Sequence, residues 1–360
     1  MDKRPSLRAN IKKIVQERRE EISLTDFNLT KTEYFSPESH LPLVVQPAIN
    51  GVNLAGWALN NKEYIQRELA THGAILFRNF TIDSPARFEE FALSASAKGE
   101  LFDEYGDLPR DTPGAKVYHS TPYPADKSIL FHNESSHMHR WPMKIFFYCV
   151  KPAEERGATP IIDCRRTYQE LDTALIRQMT EKKLMYVRNF IDGLDVSWQQ
   201  FFMTDDRKRV EDYCRRSNIA FEWKGENNLT TRQICPAVLN HPVTGEPLFF
   251  NQIQLHHISC LDADVRASML SMFREEDLPR NVYYGDGTPI EDSVVEEIST
   301  LYERVAVRFQ WQAGDVILLD NMMVAHSRDP FGGTRKILVA MADMITQQEA
   351  MNVSALKATV

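Results

Sequence analysis

Cysteine is scarce in this chain and is never closely paired. The five cysteines (Cys149, Cys164, Cys214, Cys235 and Cys260) are odd in number and far apart. With no CxxC pair, a zinc ribbon or dithiol redox centre is disfavoured, and free thiols in a reducing compartment are expected. An excess of positive charge is also missing. The 42 Lys+Arg against 50 Asp+Glu give a net charge of −8 and a pI near 5.7. Nucleic acids and anionic membranes favour basic partners, so neither is expected here. No apolar run approaches the roughly 20 residues of a membrane span. The densely charged stretch 1–21 has no apolar centre of the secretory kind, so a cytoplasmic location is expected. No GxGxxG or P-loop stretch follows a strand, which disfavours a nucleotide-binding α/β fold. Internal repeats and low-complexity tracts are absent as well.

What is present is a chain of 360 residues, 43% hydrophobic, long enough to bury a large core. Apolar spacing over 8–22 predicts an amphipathic helix in an N-terminal arm, 1–40. Further helices are predicted over 60–72, from Ser84-Pro85 onward, and over 167–182, 207–216, 262–275 and 290–303. Strands are predicted at 74–80, 144–150, 184–190, 219–223, 247–251, 305–309, 315–320 and 335–341, and 157–163 reads as a turn feeding another strand. The Gly/Pro/Asp-rich stretch 105–116 reads as a long loop. Many short strands with helices at both ends fit one mostly β domain over 41–346, a sandwich or jelly roll with helical insertions. A polar, peripheral tail, 347–360, completes the chain.

One stretch bears on chemistry: Phe131-His132-Asn133-Glu134. Side chains alternate faces along a strand, so His132 and Glu134 point the same way. An imidazole and a carboxylate side by side supply two of the three ligands of a facial iron site. By itself the tripeptide is weak, since roughly one His-x-acid match is expected by chance at this composition. The third ligand has to be a distant histidine, and His326, following the strand that ends at Leu319-Asp320-Asn321, is the candidate. Nine residues later Arg335 opens another apolar strand. Its planar fork suits the far carboxylate of a small diacid chelated to the metal.

Together, His132-x-Glu134, Thr159, Asp320-Asn321…His326 and Arg335 resemble the clavaminate synthase-like TauD/TfdA family of iron(II)/2-oxoglutarate dioxygenases. Gly73-Ala74-Ile75-Leu76-Phe77-Arg78, Tyr123-Pro124-Ala125-Asp126, Trp141-Pro142, Tyr284-Gly285-Asp286-Gly287 and 314–321 resemble a subgroup, the SyrP-like amino-acid hydroxylases of nonribosomal-peptide clusters. The resemblance covers about residues 40–345 and implies a double-stranded β-helix, or jelly roll, with flanking helices. It implies Fe(II) on His132, Glu134 and His326, and 2-oxoglutarate on Arg335 and Thr159. Oxygen is then consumed to hydroxylate a C–H bond of an amino acid or aminoacyl group, with release of succinate and CO₂. Delivery of that group on a peptidyl carrier protein, and homo-oligomerisation, are left open.

Two departures from the family pattern are informative. Taurine-cleaving members carry a second arginine four positions after the oxoglutarate arginine; here Val339 stands there, which argues against a sulfonate substrate. Many members use Asp as the carboxylate ligand; Glu134 keeps the chemistry on a longer arm, and its presence argues against a halogenase. Desaturation or epoxidation at the same iron is the alternative outcome. A non-catalytic cupin-like protein and a zinc hydrolase are the remote ones, and zinc needs no Thr159/Arg335 pair. His137, Arg188 and Asn251 are candidates for contact with substrate. Asp320 and Asn321 are expected to shape the turn presenting His326. His256 and His257, read as neighbours on a strand, are expected to be structural.

Overall fold

The computed structural model describes residues 29–36, 39–102, 116–120, 123–191, 193–194 and 196–357. The helix expected over 8–22 lies outside them, as does nearly all of the 105–116 loop.

A seven-stranded sheet forms the centre. It runs through Thr30–Ser36, Ser39–Pro47, Ala74–Phe77, Val316–Asp320, Arg140–Lys151, Lys336–Thr346 and Tyr118–His119. Its inner strands are apolar on both faces because both faces are covered. Ile145, Phe147 and Cys149, with Ile317, Leu319, Ile337 and Val339, join one core. The alternating Phe146 and Tyr148, with Val316, Leu318, Leu338 and Ala340, join a second core beneath the helices Leu54–Asn60, Lys62–His72 and Pro85–Ala95. The two-residue period of the pleat thus explains why these stretches look continuously hydrophobic.

A three-stranded sheet, in the order Ile129–His132, Val324–Arg328, Ile161–Asp163, packs on the first of these cores. Phe147 of the large sheet meets the His326 ring of the small one, centroids 5.0 Å apart. A four-stranded sheet, Ala220–Lys224, Asn228–Cys235, Leu184–Phe190 and Arg280–Tyr284, lies beyond.

Local signals place most elements. Ser84 caps the Pro85–Ala95 helix by accepting from the Arg87 amide, as its Ser-Pro pair predicts. Gly73 ends the helix before it with φ at 75°, and a Cβ there would meet Val324 at 2.8 Å. Other expectations shift. A helix not expected from the sequence, Leu54–Asn60, precedes the one expected over 60–72, which runs Lys62–His72; the two meet at Asn61, whose side chain donates to the Trp57 carbonyl at 2.8 Å. In place of a strand over 305–309, the Asp292–Val305 helix runs on, and only Val307 bridges to Ile161. The polar tail forms the helix Gln347–Lys357, with Ala350 fully buried. Among the described residues no helix is long and apolar enough to cross a membrane.

Candidate active site

His132 ends one strand of the small sheet, and His326 lies directly opposite it on the neighbouring strand. Their ring centroids are 4.3 Å apart. Glu134 falls just past the strand, in a turn, so simple alternation does not orient it. Its backbone is set instead by Asn321. The Asn321 Oδ1 accepts from the Glu134 amide at 2.7 Å, and its Nδ2 donates to the carbonyls of Glu134 and Pro142, both at 2.9 Å. Asn133, one residue earlier, donates to the Asn321 carbonyl at 2.7 Å. The result brings a carboxylate oxygen of Glu134 to 3.9 Å from His132 Nε2. Ligand atoms of His132, Glu134 and His326 all lie within 4.8 Å of one another.

These residues fit a metal. His132 Nδ1 lies 2.8 Å from the Leu130 carbonyl, so it carries the proton and Nε2 carries the lone pair toward Glu134. Two imidazoles and one carboxylate make the facial donor set of non-haem iron(II), which leaves coordination positions open. Burial pushes the nearby Cys149 and Cys164 thiols up to about 12, so neither offers a thiolate at neutral pH. Asn321→Ala is expected to weaken divalent-metal binding about 10- to 100-fold by loosening the turn that aims Glu134, as seen for residues that orient ligands. A cobalt(II) titration followed by absorption checks this, and unchanged affinity would mean that the turn holds without its clamp.

The triad opens on a cavity shared with Phe147, Thr159, Arg328, Arg335, Ile337 and Val339. Arg335 reaches it from just before the Lys336–Thr346 strand. Its Nε donates to the Gly157 carbonyl at 3.0 Å and its Nη2 to the Thr159 hydroxyl at 3.0 Å. Gly157 has φ at 72°, and a Cβ there would press on Ala153, Phe331 and the Arg335 stem. Trp311 also donates to the Thr159 hydroxyl, at 3.1 Å. With both lone pairs engaged, that hydroxyl has only its hydrogen left to offer, which suits an incoming carboxylate. Among the described residues no acidic side chain pairs with Arg335. Burial pushes its guanidinium down to about 10, with Arg328 adding to the effect, yet at neutral pH it remains a cation.

The residues expected to touch substrate are placed elsewhere. Asn251 is 2% exposed, and its side chain is committed to Tyr302 (3.1 Å) and the Ile253 amide (3.0 Å). Its backbone exchanges hydrogen bonds with Asn133, so Asn251 braces the ligand turn and is not among the residues lining the cavity. An asparagine on an apolar strand cannot be told from a substrate contact by pattern alone. His137 packs against His256 and Tyr186, with ring centroids 4.9 and 5.9 Å away. Arg188 lies over the rings of Phe190 and Phe201. Both line a separate small pocket. His256 ends a short helix, not a strand, and His257 caps the next turn while its ring bonds the Ile290 carbonyl. Neither joins the metal cluster. Gln252 Nε2 donates to the Asn133 carbonyl at 2.9 Å. The clamping roles of Asn133, Gln252 and Trp311 carry no signal in the sequence, because a buried amide or indole finds its partner only when distant strands meet.

Residues 36–341 match the model of the family described as "Taurine catabolism dioxygenase TauD, TfdA family". The chain is 37% identical to the dapdiamide synthesis protein DdaC of Enterobacter agglomerans, over 78% of this chain and 85% of that one. It is 27% identical to a clavaminate synthase-like protein of Arabidopsis thaliana, over 85% and 91% respectively. The fold is similar to that of PvcB from Pseudomonas aeruginosa, with a TM-score of 0.52 at 12% identity over 91% of this chain and 95% of that one.

Proposed function

Since the chain belongs to the TauD/TfdA family of dioxygenases, we propose that it is an iron(II)- and 2-oxoglutarate-dependent oxygenase in which His132, Glu134 and His326 hold the metal. The observation that carries this reading is Arg335, a half-buried, partly desolvated cation without a described acidic partner, lining the same cavity as the three ligands. A metal triad alone serves many chemistries, but a triad facing a desolvated guanidinium calls for a small dianion that spans the two. 2-Oxoglutarate is such a molecule. Iron held there would activate O₂, which is the oxidant, and the balance is R–H + 2-oxoglutarate + O₂ → R–OH + succinate + CO₂. Arg335 takes the far carboxylate as a fork, and Thr159 donates its hydroxyl hydrogen to it. Phe147, Ile337 and Val339 form an apolar wall that keeps water away.

The substrate we assign is an amino acid or carrier-tethered aminoacyl group in secondary-metabolite biosynthesis. Support comes from DdaC, named for dapdiamide synthesis, and from PvcB, described as an Fe, α-ketoglutarate-dependent oxygenase from an isonitrile synthetic pathway. The catalytic unit we assign, in a cytoplasmic protein, starts inside the expected 1–40 arm, because Thr30–Ser36 and Ser39–Pro47 are strands of the central sheet; it runs to 346, and the tail helix packs on it through buried Ala350. The two sheets enclosing the cavity, together with the likeness to PvcB, support a double-stranded β-helix.

The test is spectroscopic. Anaerobic addition of 2-oxoglutarate to the iron(II)-loaded protein is expected to give a visible charge-transfer band that His132→Ala abolishes. Fully loaded iron with no band would sink the proposal.

A further inference from the structure

A second cavity, of about 350 Å³, lies on another side of Glu134. Glu134 borders both this cavity and the one holding Arg335, so the metal-binding carboxylate is their shared wall. One side of the larger cavity comes from the main body: Phe102, Met138, Arg140 and Met344. The other side comes from the segment between strands Leu184–Phe190 and Ala220–Lys224, which folds as the helices Trp198–Phe202 and Arg207–Arg216. Trp198, Phe201, Val210 and Cys214 from these helices pack with Phe190 and Leu229 into a core of their own.

The charge of this lining is one-sided. Arg140, Arg209 and Arg216 face it, and its sole acidic residue among those described is Glu134, which the metal engages. Arg209, Tyr213 and Arg216 recur at helical spacing on the Arg207–Arg216 helix and so present one stripe to the cavity. Arg216 is exposed and makes no ion pair among the described residues. Arg209 is 78% exposed at the side chain, with Asp206 3.8 Å from its guanidinium. Arg140 lies over the Phe102 ring at 5.6 Å. Phe201, Phe202, Met138 and Met203 supply apolar surface to the same lining.

We propose that this cavity is the substrate chamber and that it takes a substrate with an apolar body and an oxyanion, a carboxylate or a phosphate ester, held by Arg209 and Arg216. The apolar part lies against the Phe and Met surface, which directs its C–H bonds toward Glu134. The oxyanion stays at the exposed mouth, where the guanidinium forks bind it without deep desolvation. The 198–216 insertion therefore sets specificity, while the sheets set the chemistry. This inference rests on the oxygenase reading above.

The test uses iron(II)-loaded full-length protein with 2-oxoglutarate under anaerobic conditions. Its probes are the N-acetyl derivatives of leucine, phenylalanine and glutamine, each as free acid and as α-amide. N-acetyl-O-phosphoserine amide, set against N-acetylserine amide, forms the phosphate arm. Binding is read from the perturbation of the charge-transfer band, and coupling from succinate release in air. At least one anionic probe is expected to bind about 10- to 100-fold more tightly than its neutral partner, the range of a charge-assisted hydrogen bond. The double variant Arg209→Gln/Arg216→Gln is expected to erase that preference while leaving the unperturbed band and 2-oxoglutarate affinity intact. A preference confined to the acids assigns a carboxylate, and one confined to the phosphate arm assigns a phosphate ester. No anionic probe held more tightly than its neutral partner, or a preference that survives the double variant, overturns the proposal. A missing band indicts the oxygenase reading instead, so the two failures are distinct.

Discussion

Arg335→Ala is expected to weaken 2-oxoglutarate binding by roughly thirty- to several-thousand-fold while the protein still binds iron(II). The range follows from the about 2–5 kcal/mol lost when one partner of a buried, hydrogen-bonded charge pair is removed. The structure favours a large effect, because Arg335 is desolvated and held in place by Gly157 and Thr159 before any ligand arrives. Arg335→Lys keeps a charge but cannot reach the Gly157 carbonyl and the Thr159 hydroxyl from separate nitrogens while also forking a carboxylate, so it recovers only part of the affinity. The pH dependence has a fixed sign. The guanidinium is held down to about 10 by burial, so it binds an anion below that value and loses its charge above it. Affinity for 2-oxoglutarate is expected to fall as pH rises through about 10, and this limb is absent in Arg335→Ala. Titration of the charge-transfer band measures both effects. Loss of iron from the alanine variant would show that Arg335 supports the ligand shell, and an unchanged affinity would place the far carboxylate elsewhere.

How much of this site could be read from sequence depends on what kind of constraint acts on each residue. His132, Glu134, His326, Thr159 and Arg335 were nameable because few side chains can do their chemistry, and the structure brings all five to one cavity. The apolar strands around them were legible because a sheet covered on both faces demands uninterrupted hydrophobics. The boundaries were less so: Glu134 sits in a turn, and its orientation depends on Asn321, 187 positions away along the chain. The bonds of Asn251 are hidden from sequence for the same reason. Its partners Asn133 and Tyr302 belong to elements that meet only in the folded chain. Within the helix expected over 207–216, Arg209, Tyr213 and Arg216 look on sequence alone like part of any solvated basic face. Only the cavity beside Glu134 gives them a direction.

Asp320→Ala is expected to damage both stability and the metal site. Asp320 is 6% exposed, and its Oδ1 accepts from the amides of Met322 and Met323, both at 3.0 Å. Its Oδ2 lies 3.0 Å from His241 Nε2. The Thr244 amide donates to His241 Nδ1, so the histidine proton sits on Nε2 and is given to Asp320. Alanine strands three buried donors at about 1–3 kcal/mol each, and because they share one turn the loss is not additive. A destabilisation of about 3–5 kcal/mol is the expected order. That turn carries Asn321, which clamps Glu134, and leads directly into the strand bearing His326. Iron affinity should therefore fall at least about tenfold even where the variant remains folded. Asp320→Asn separates the two roles. Its amide oxygen still serves the Met322 and Met323 amides, but its NH₂ meets the Nε2–H of His241, donor against donor. It should lose less stability than Asp320→Ala, and a further His241→Gln, whose amide oxygen can accept from that NH₂, should recover part of the deficit. Urea denaturation with and without iron(II) measures the stability, and metal titration measures the site. An Asp320→Ala protein that unfolds at the wild-type midpoint and binds iron at the wild-type affinity would show that the turn is held by its flanking strands instead.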